Sequence, residues 1–359
     1  MPATAHDSPQ PAAPLNQIWF TRCPVPTATG LAYKLGWLQD AFAPDGIRID
    51  TLQDNRELGH HHYDHQLPTL IREGGNILAL AARAQQAPTR LIGLTWIDEW
   101  QAILVRPDSG IAKPADLKGK RLALPAWIEH PIPSHARGSS IARGMSLRGY
   151  EGALDYAGLG FRDVELVEVT PTHSAKPSLN DLWSGLAYLS DGRVDAVYVK
   201  GASAVDAARA AGAVVGIDLD ALPDRQWRIN NGTPRPITVH EDLIDNHFDV
   251  LVRFLAQTLR AADWASENLD GVHDILSSET RGSLEGVAAA YRNDFHRSLH
   301  PSLSEDRLRL FHAQKQALWL HGFLERDFAF DDWVDPRPLH AALALNQAHR
   351  ERGEYLIRS

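Results

Sequence analysis

The stretch "QIWFTRCPVPTATGLAYKLGWLQDAFAPDGIRID", residues 17–50, decides the fold. It opens on a β-branched and aromatic run that reads as a strand, and the prolines of "RCPVP" block further strand pairing. Leu31, Leu35, Leu38 and Phe42 then recur at helical spacing, with Thr27 or Thr29 available as N-cap. "DGIRIDTLQD" reads as a turn and a second strand. Downstream, "GGNILALAARAQQ" gives a second helix and "TRLIGLTW" a third strand. Strands alternating with helices in this way build a parallel α/β layer. Ligands of such sheets collect beyond the carboxyl ends of the strands, and Cys23 sits at one of those ends.

After "QAILVRPDSGI", the turn and strand of "KPADLKGKRLALP" begin a second α/β unit. It continues through "SSIARGMSLRGYEGALDYAGL", "DVELVEVT" and "GRVDAVYVKGASA" to "AVVGIDL". Leu251, Phe254, Leu255, Leu259 and Trp264 then mark an amphipathic helix, and most of the chain to about residue 325 reads as helical. The expected layout is α/β, with two lobes flanking a central cleft. A loose arm covers 1–16, a first lobe takes 17–107 and 215–359 with the C-terminal helices, and a second lobe takes 108–214.

A formal net charge of -9 over 359 residues argues against a nucleic-acid partner and leaves a small molecule or another protein. No run approaches the ~18 apolar residues of a membrane span. The opening residues lack the basic start and apolar centre of a secretory leader, so the chain is expected in the cytoplasm, or in the periplasm if a leader has been removed. Its single cysteine, Cys23, excludes an intramolecular disulfide and a CxxC motif.

Three features can carry chemistry. Cys23 lies just before a helix start, where the positive end of the helix dipole favours a thiolate; the competing reading is a buried inert cysteine. His60, His61, His62 and His65 cluster with Tyr63 and Asp64, as a metal site or as acid and base groups, with Tyr63 a candidate substrate contact. The second half of a ligand set is not evident nearby, so no metal is assigned. Gly74 and Gly75 open a helix beside Arg72, offering backbone N–H groups and a guanidinium fork to an anion. "IREGGNILAL" is no Walker motif and "RLIGLTWIDEWQ" no nucleotide loop, so no cofactor is assigned. Ser139 and Ser140 are a further anion contact or, more simply, N-capping residues. Loops on one rim of a parallel sheet would bring the first three features together around a small oxyanion.

"TRCPVPTATG" and "GHHHYDHQLPTLIREGGNI" resemble the signature of the 2'-hydroxybiphenyl-2-sulfinate desulfinase family. "GLGFRDVELVEV", "GRVDAVYV" and the late "DFHRSLHPSLSEDRLRLFHAQKQALWLHGFLERDFAFDDWVDP" extend the likeness over roughly residues 17–340. The resemblance implies the two-lobed fold of type II periplasmic solute-binding proteins, in an enzyme that works in the cytoplasm. It implies cofactor-free hydrolysis of the C–S bond of an organic sulfinate, with release of sulfite. The family's nucleophilic cysteine falls on Cys23, its histidine on His60 with His61 or His62 as alternatives, and its oxygen-holding arginine and glycine on Arg72 and Gly75.

The departures lie in the substrate walls, where "VYVKGASAVD" puts Lys200 and Ser203 in place of tryptophans and the region around Met145 lacks a stacking aromatic. A smaller or more polar sulfinate, or a carboxylate, is therefore expected. The alternative function is a non-catalytic receptor for a small anion, working with an ABC permease.

Overall fold

Residues 14–23, 25–170, 183–279 and 282–353 are described by this computed structural model, and their ten strands form two five-stranded sheets. The first holds β1 (Gln17–Phe20), β2 (Arg48–Thr51), β3 (Leu70–Glu73), β4 (Thr89–Thr95) and β10 (Arg235–His240), in the order β2-β1-β3-β10-β4. The second holds β5 (Gln101–Val105), β6 (Arg121–Pro125), β7 (Glu165–Val169), β8 (Ala196–Lys200) and β9 (Val214–Asp218), in the order β7-β6-β8-β5-β9. β1 pairs in parallel with β2 and β3, while β10 runs antiparallel to β3 and β4. Likewise β6 is parallel to β7 and β8, and β5 is antiparallel to β8 and β9. In each sheet the reversed strand is the first one made after the chain crosses from the other lobe.

The crossovers occupy residues 96–100 and 219–234. β5 and most of β9, which the sequence division placed in the first lobe, pair in the second sheet. Both are apolar runs between ordinary turns, and nothing local marks which sheet such a run joins. Of the expected arm, residues 1–13 lie outside the described residues, and Leu15 packs against the core.

The helix after β1 is capped by Thr27, whose side chain accepts from the Gly30 N–H at 3.0 Å. Thr29 turns inward instead. Its N–H donates to the Glu73 carboxylate at 3.3 Å, and its hydroxyl meets that of Thr258 at 3.2 Å. The helical run breaks at Gly36, whose φ of 78° lies in the left-handed region, so Ala28–Lys34 and Trp37–Phe42 are separate helices.

The amphipathic segment is the helix Phe248–Glu267, with Leu251, Phe254, Leu255 and Leu259 buried. It packs against Ala28–Lys34 and Arg337–Glu351, which clamps it to the first lobe. The helix Glu305–Leu320 touches both lobes. Its Gln314 side chain accepts from Arg148 Nε and donates to Asn76 Oδ1, both at 2.9 Å. Asn76 in turn donates to the carbonyls of Asn230 and Pro234 at 2.7 and 2.9 Å, fixing the second crossover over the start of the helix Asn76–Ala84.

Candidate active site

A cleft of about 1130 Å³ lies between the lobes. Cys23 and Gly75 reach it from the carboxyl ends of β1 and β3, the position expected for ligands of such a sheet, Arg72 from within β3, and His62 from the short helix between β2 and β3. Trp127, Ser139, Ser140, Met145, Trp183 and Lys200 reach it from the second lobe. The crossovers supply Glu99 and Asn231, and β10 opens with Arg235.

Cys23 is a free, half-buried thiol whose Sγ lies 3.5 Å from the Glu73 carbonyl oxygen, as a donor. The loop is held in place by Arg22, whose backbone N–H and C=O bond the Gln53 carboxamide at 3.0 and 2.8 Å.

Arg72 is only 1% exposed. Its Nη2 donates to the Gly75 carbonyl at 2.9 Å, while Nε and Nη1 are buried with no partner. Burial pulls its pKa down to about 10, with Cys23 opposing and Arg235 adding to that effect, so the guanidinium stays charged near neutral pH. Buried N–H donors without an acceptor are costly, and an incoming oxyanion relieves that cost.

The paired glycines have distinct roles. A Cβ on Gly74 would stand 2.8 Å from Arg72 Cζ, so only glycine lets the guanidinium fold beneath it. A Cβ on Gly75 would stand 2.5 Å from Asn231 Oδ1. The Gly74 N–H, expected to meet substrate, is instead taken by the Pro236 carbonyl at 3.3 Å, because the residue still follows the sheet pairing. The Gly75 N–H has no protein partner among the described residues. Asn231 Oδ1 also accepts from the Ile77 N–H at 3.1 Å, which uses one of the donors at this helix start.

The histidines divide by burial. His60 faces outward, its Nδ1 bonded to the Glu57 carbonyl at 2.9 Å, and it does not line the cleft. The resemblance puts the family's histidine on His60 with His61 or His62 as alternatives, and it is His62 that the short helix His61–Asp64 turns toward the cleft. Burial, then Arg72, lowers the His62 pKa to about 3, so its ring is neutral at physiological pH, and its Nδ1 is unpartnered. His65 lies behind it, buried and held far below the usual histidine value chiefly by burial and then Arg72. His61 Nδ1 meets Asp64 Oδ1 at 2.8 Å. Ligand atoms of His60, His61 and Asp64 lie within 4.8 Å of one another, but this group is at the surface rather than in the cleft.

Tyr63, expected as a substrate contact, does not line the cleft either. Its ring packs on those of His130 and His135 at 4.7 and 5.5 Å, joining the first lobe to a second-lobe loop. Ser140 is structural: its hydroxyl donates to the Ala136 carbonyl at 2.9 Å and accepts from the Ile128 N–H at 3.1 Å, with no capping bond to its own helix. Ser139 borders the cleft, with its Oγ buried and without a partner among the described residues. Lys200 is buried, its Nζ 3.2 Å from Glu99 and 3.0 Å from the Asn231 carbonyl. Burial lowers its pKa, against the pull of Glu99.

The expectation that the walls lack aromatics is corrected. Trp127, Trp183 and Tyr291 line the cleft from other parts of the chain than the one compared. Trp127 follows the carboxyl end of β6 directly, so the strand-end rule applied to Cys23 would have found it. Glu73 is a further group that residue patterns missed: buried beside the thiol, it has its pKa raised by that burial. Arg235 was missed as well, since "TPRPITV" reads only as a strand start.

This architecture is the two-lobed fold of the solute-binding proteins, with an anion-receptive cleft. The sulfonate-binding protein SsuA of Escherichia coli shares the fold at a TM-score of 0.61 and 16% identity, with 91% of this chain and 92% of that one covered. The family described as NMT1/THI5 like matches residues 72–133. The chain is similar over 91% of its length, at 28% identity, to the 2'-hydroxybiphenyl-2-sulfinate desulfinase of Rhodococcus erythropolis, 94% of which is covered. A crystal structure of a cysteine-to-serine variant of desulfinase DszB with biphenyl-2-sulfinic acid superposes at a TM-score of 0.72 and 27% identity, covering 92% of this chain and 99% of that one. The resemblance read from the motifs therefore extends across the chain. Among the described residues, no helix is long and apolar enough to cross a membrane.

Proposed function

We propose that the protein is a desulfinase that hydrolyses the C–S bond of an aromatic sulfinate. The observation that carries this reading is the convergence of Cys23 and the unpartnered N–H groups of Arg72 in one cleft, with neutral His62 and the Gly75 N–H on the same wall. The reaction balances as R–SO2⁻ + H2O → R–H + HSO3⁻, with no change that calls for an external oxidant or reductant. Arg72 and the Gly75 N–H hold the sulfinate oxygens, and they oppose the charge that builds there as the C–S bond breaks. The arriving anion also raises the affinity of His62 for a proton, which readies the ring to take the thiol proton of Cys23.

The thiol has two routes. Attack on sulfur leaves SO2 on Cys23 for water to release, whereas proton delivery to carbon leaves Cys23 unmodified. Mass spectrometry of acid-quenched protein during turnover separates them. The deciding experiment for the function is sulfite release from a panel of aryl sulfinates by wild-type protein and Cys23→Ser. Full sulfite release by Cys23→Ser would sink the thiol assignment. Tight binding with no sulfite would favour a receptor, with an ABC permease as its partner. A single free thiol in an open cleft also suits a reducing compartment, so we place the protein in the cytoplasm.

A further inference from the structure

Arg235 is a second cation on the cleft floor, and nothing in the reaction above uses it. It is 5% exposed, lines the cleft, and makes no hydrogen bond or ion pair among the described residues; its Nε is buried without a partner. The two carboxylates close by make their hydrogen bonds elsewhere, and neither lies within ion-pair distance of it, although Glu73 and Arg235 act on each other through space. Glu73 accepts from the Thr29 N–H and from Thr95 Oγ1, at 3.3 and 3.0 Å. Glu99 pairs with Lys200 at 3.2 Å and accepts from the Tyr291 hydroxyl at 3.1 Å.

Three cations thus share the floor. Lys200 is matched by Glu99, and Arg72 is the cation matched by a bound sulfinate. Arg235 feels the buried Glu73 carboxylate only through space, with no acceptor on its N–H groups among the described residues. Buried N–H donors without an acceptor are unfavourable, and the uncommitted acceptor that fits is one the ligand brings. Arg235 is near enough to Arg72 and to Lys200 to lower the proton affinity of each. The apolar rings of Trp127 and Trp183 on the opposite wall suit a flat hydrocarbon body.

We propose that the substrate is a dianion, an aryl sulfinate that also carries a carboxylate, with the sulfinate on Arg72 and the carboxylate on Arg235. This inference takes its sulfinate from the desulfinase reading, but its second anionic group is tested separately. Arg235 offers a planar fork to a carboxylate, so two parallel N–H···O bonds form and the orientation of the ring is set. A site built around such a pair discriminates against an analogue that lacks the carboxylate, because the arginine is then left buried and unpaired.

The test uses unreactive sulfonates, so that binding is read without turnover. Calorimetry of the wild-type protein compares benzenesulfonate with the 2-, 3- and 4-sulfobenzoates. The best sulfobenzoate is expected to bind at least about tenfold tighter than benzenesulfonate. Arg235→Gln is expected to bring that ratio close to one, and Arg235→Lys to restore part of it. Benzenesulfonate binding as tight as that of every sulfobenzoate overturns the proposal, and so does a ratio unchanged in Arg235→Gln, which would place this residue on the sulfur group with Arg72. Should Arg235→Gln fail to fold, the wild-type ratio and Arg235→Lys decide. Sulfite release from the matching sulfinates is measured in parallel. No sulfite with the dianion preference intact removes the desulfinase reading alone; sulfite with no preference removes this inference alone.

Discussion

The two walls of the cleft differ in how they are built. The first-lobe wall is made at strand ends: Cys23 follows β1, Arg72 lies in β3, and Gly75 follows within three residues. The Arg22 backbone bonds the Gln53 side chain, the Gly74 N–H donates to the Pro236 carbonyl and Arg72 Nη2 donates to the Gly75 carbonyl, and these bonds fix the wall. The second-lobe wall sets the rings of Trp127 and Trp183 among hydroxyls and Lys200, with Trp127 41% exposed on a loop beyond β6. A rigid charged wall fixes where a reacting group sits, while the rings of the opposite wall set which body accompanies it. On the proposed reading the reacting group is held by the first lobe and the hydrocarbon body by the second, so variants in each wall should fail differently.

The largest effects belong to the charged wall. Cys23→Ser and Arg72→Ala are each expected to lower kcat by about 10²-fold or more, equally for every sulfinate, in a sulfite-release assay. A loss confined to KM in Arg72→Ala would show that it binds without acting on the bond that breaks. Gly75→Ala comes next, since its Cβ would collide with the Asn231 carboxamide. About a tenfold loss of kcat/KM is expected there, with the helix content by circular dichroism unchanged.

Trp127→Ala is expected to raise KM for aryl sulfinates about tenfold with kcat nearly unchanged. Because Trp127 is half out of the protein, its melting temperature should barely move. A kcat loss as large as that of Arg72→Ala would erase the distinction between the walls.

The smallest effect reads the buried histidines. His62 and His65 have folded values below the ordinary 6.5, so the unfolded chain binds protons more readily. Their stability contribution is whole above pH 6.5 and is lost as pH falls toward about 3, the folded value of His62. Urea unfolding between pH 7 and pH 5 should therefore lose at most about 1.4 kcal/mol per pH unit for each histidine. A flatter slope in His65→Gln would confirm the source; the same slope would place the protons elsewhere.

Much of this was legible in the chain. The strand ends, the thiol beside a helix start and the Arg-Gly-Gly turn are local, and residues 17–75 carry them in order. The membership of β5 and β9 in the second sheet was not, because pairing across about a hundred residues leaves no local mark. The choice of His62 over His60 depended on a single turn of helix, where one residue rotates a side chain by about 100°. Arg235 escaped because its meaning lies in what fails to pair with it, and pairing is invisible in one dimension.

The two segments that connect the lobes run side by side and are bonded together. Asp98 in one meets Arg228 and Arg225 in the other at 3.4 and 3.7 Å, and Gln101 Nε2 donates to the Arg228 carbonyl at 3.2 Å. These same segments carry Glu99 and Asn231 or lead directly into Arg235, and Lys200 reaches across to the first two from the second lobe. The polar floor of the cleft is therefore built on the connection between the lobes, and Lys200 ties that connection to the second sheet.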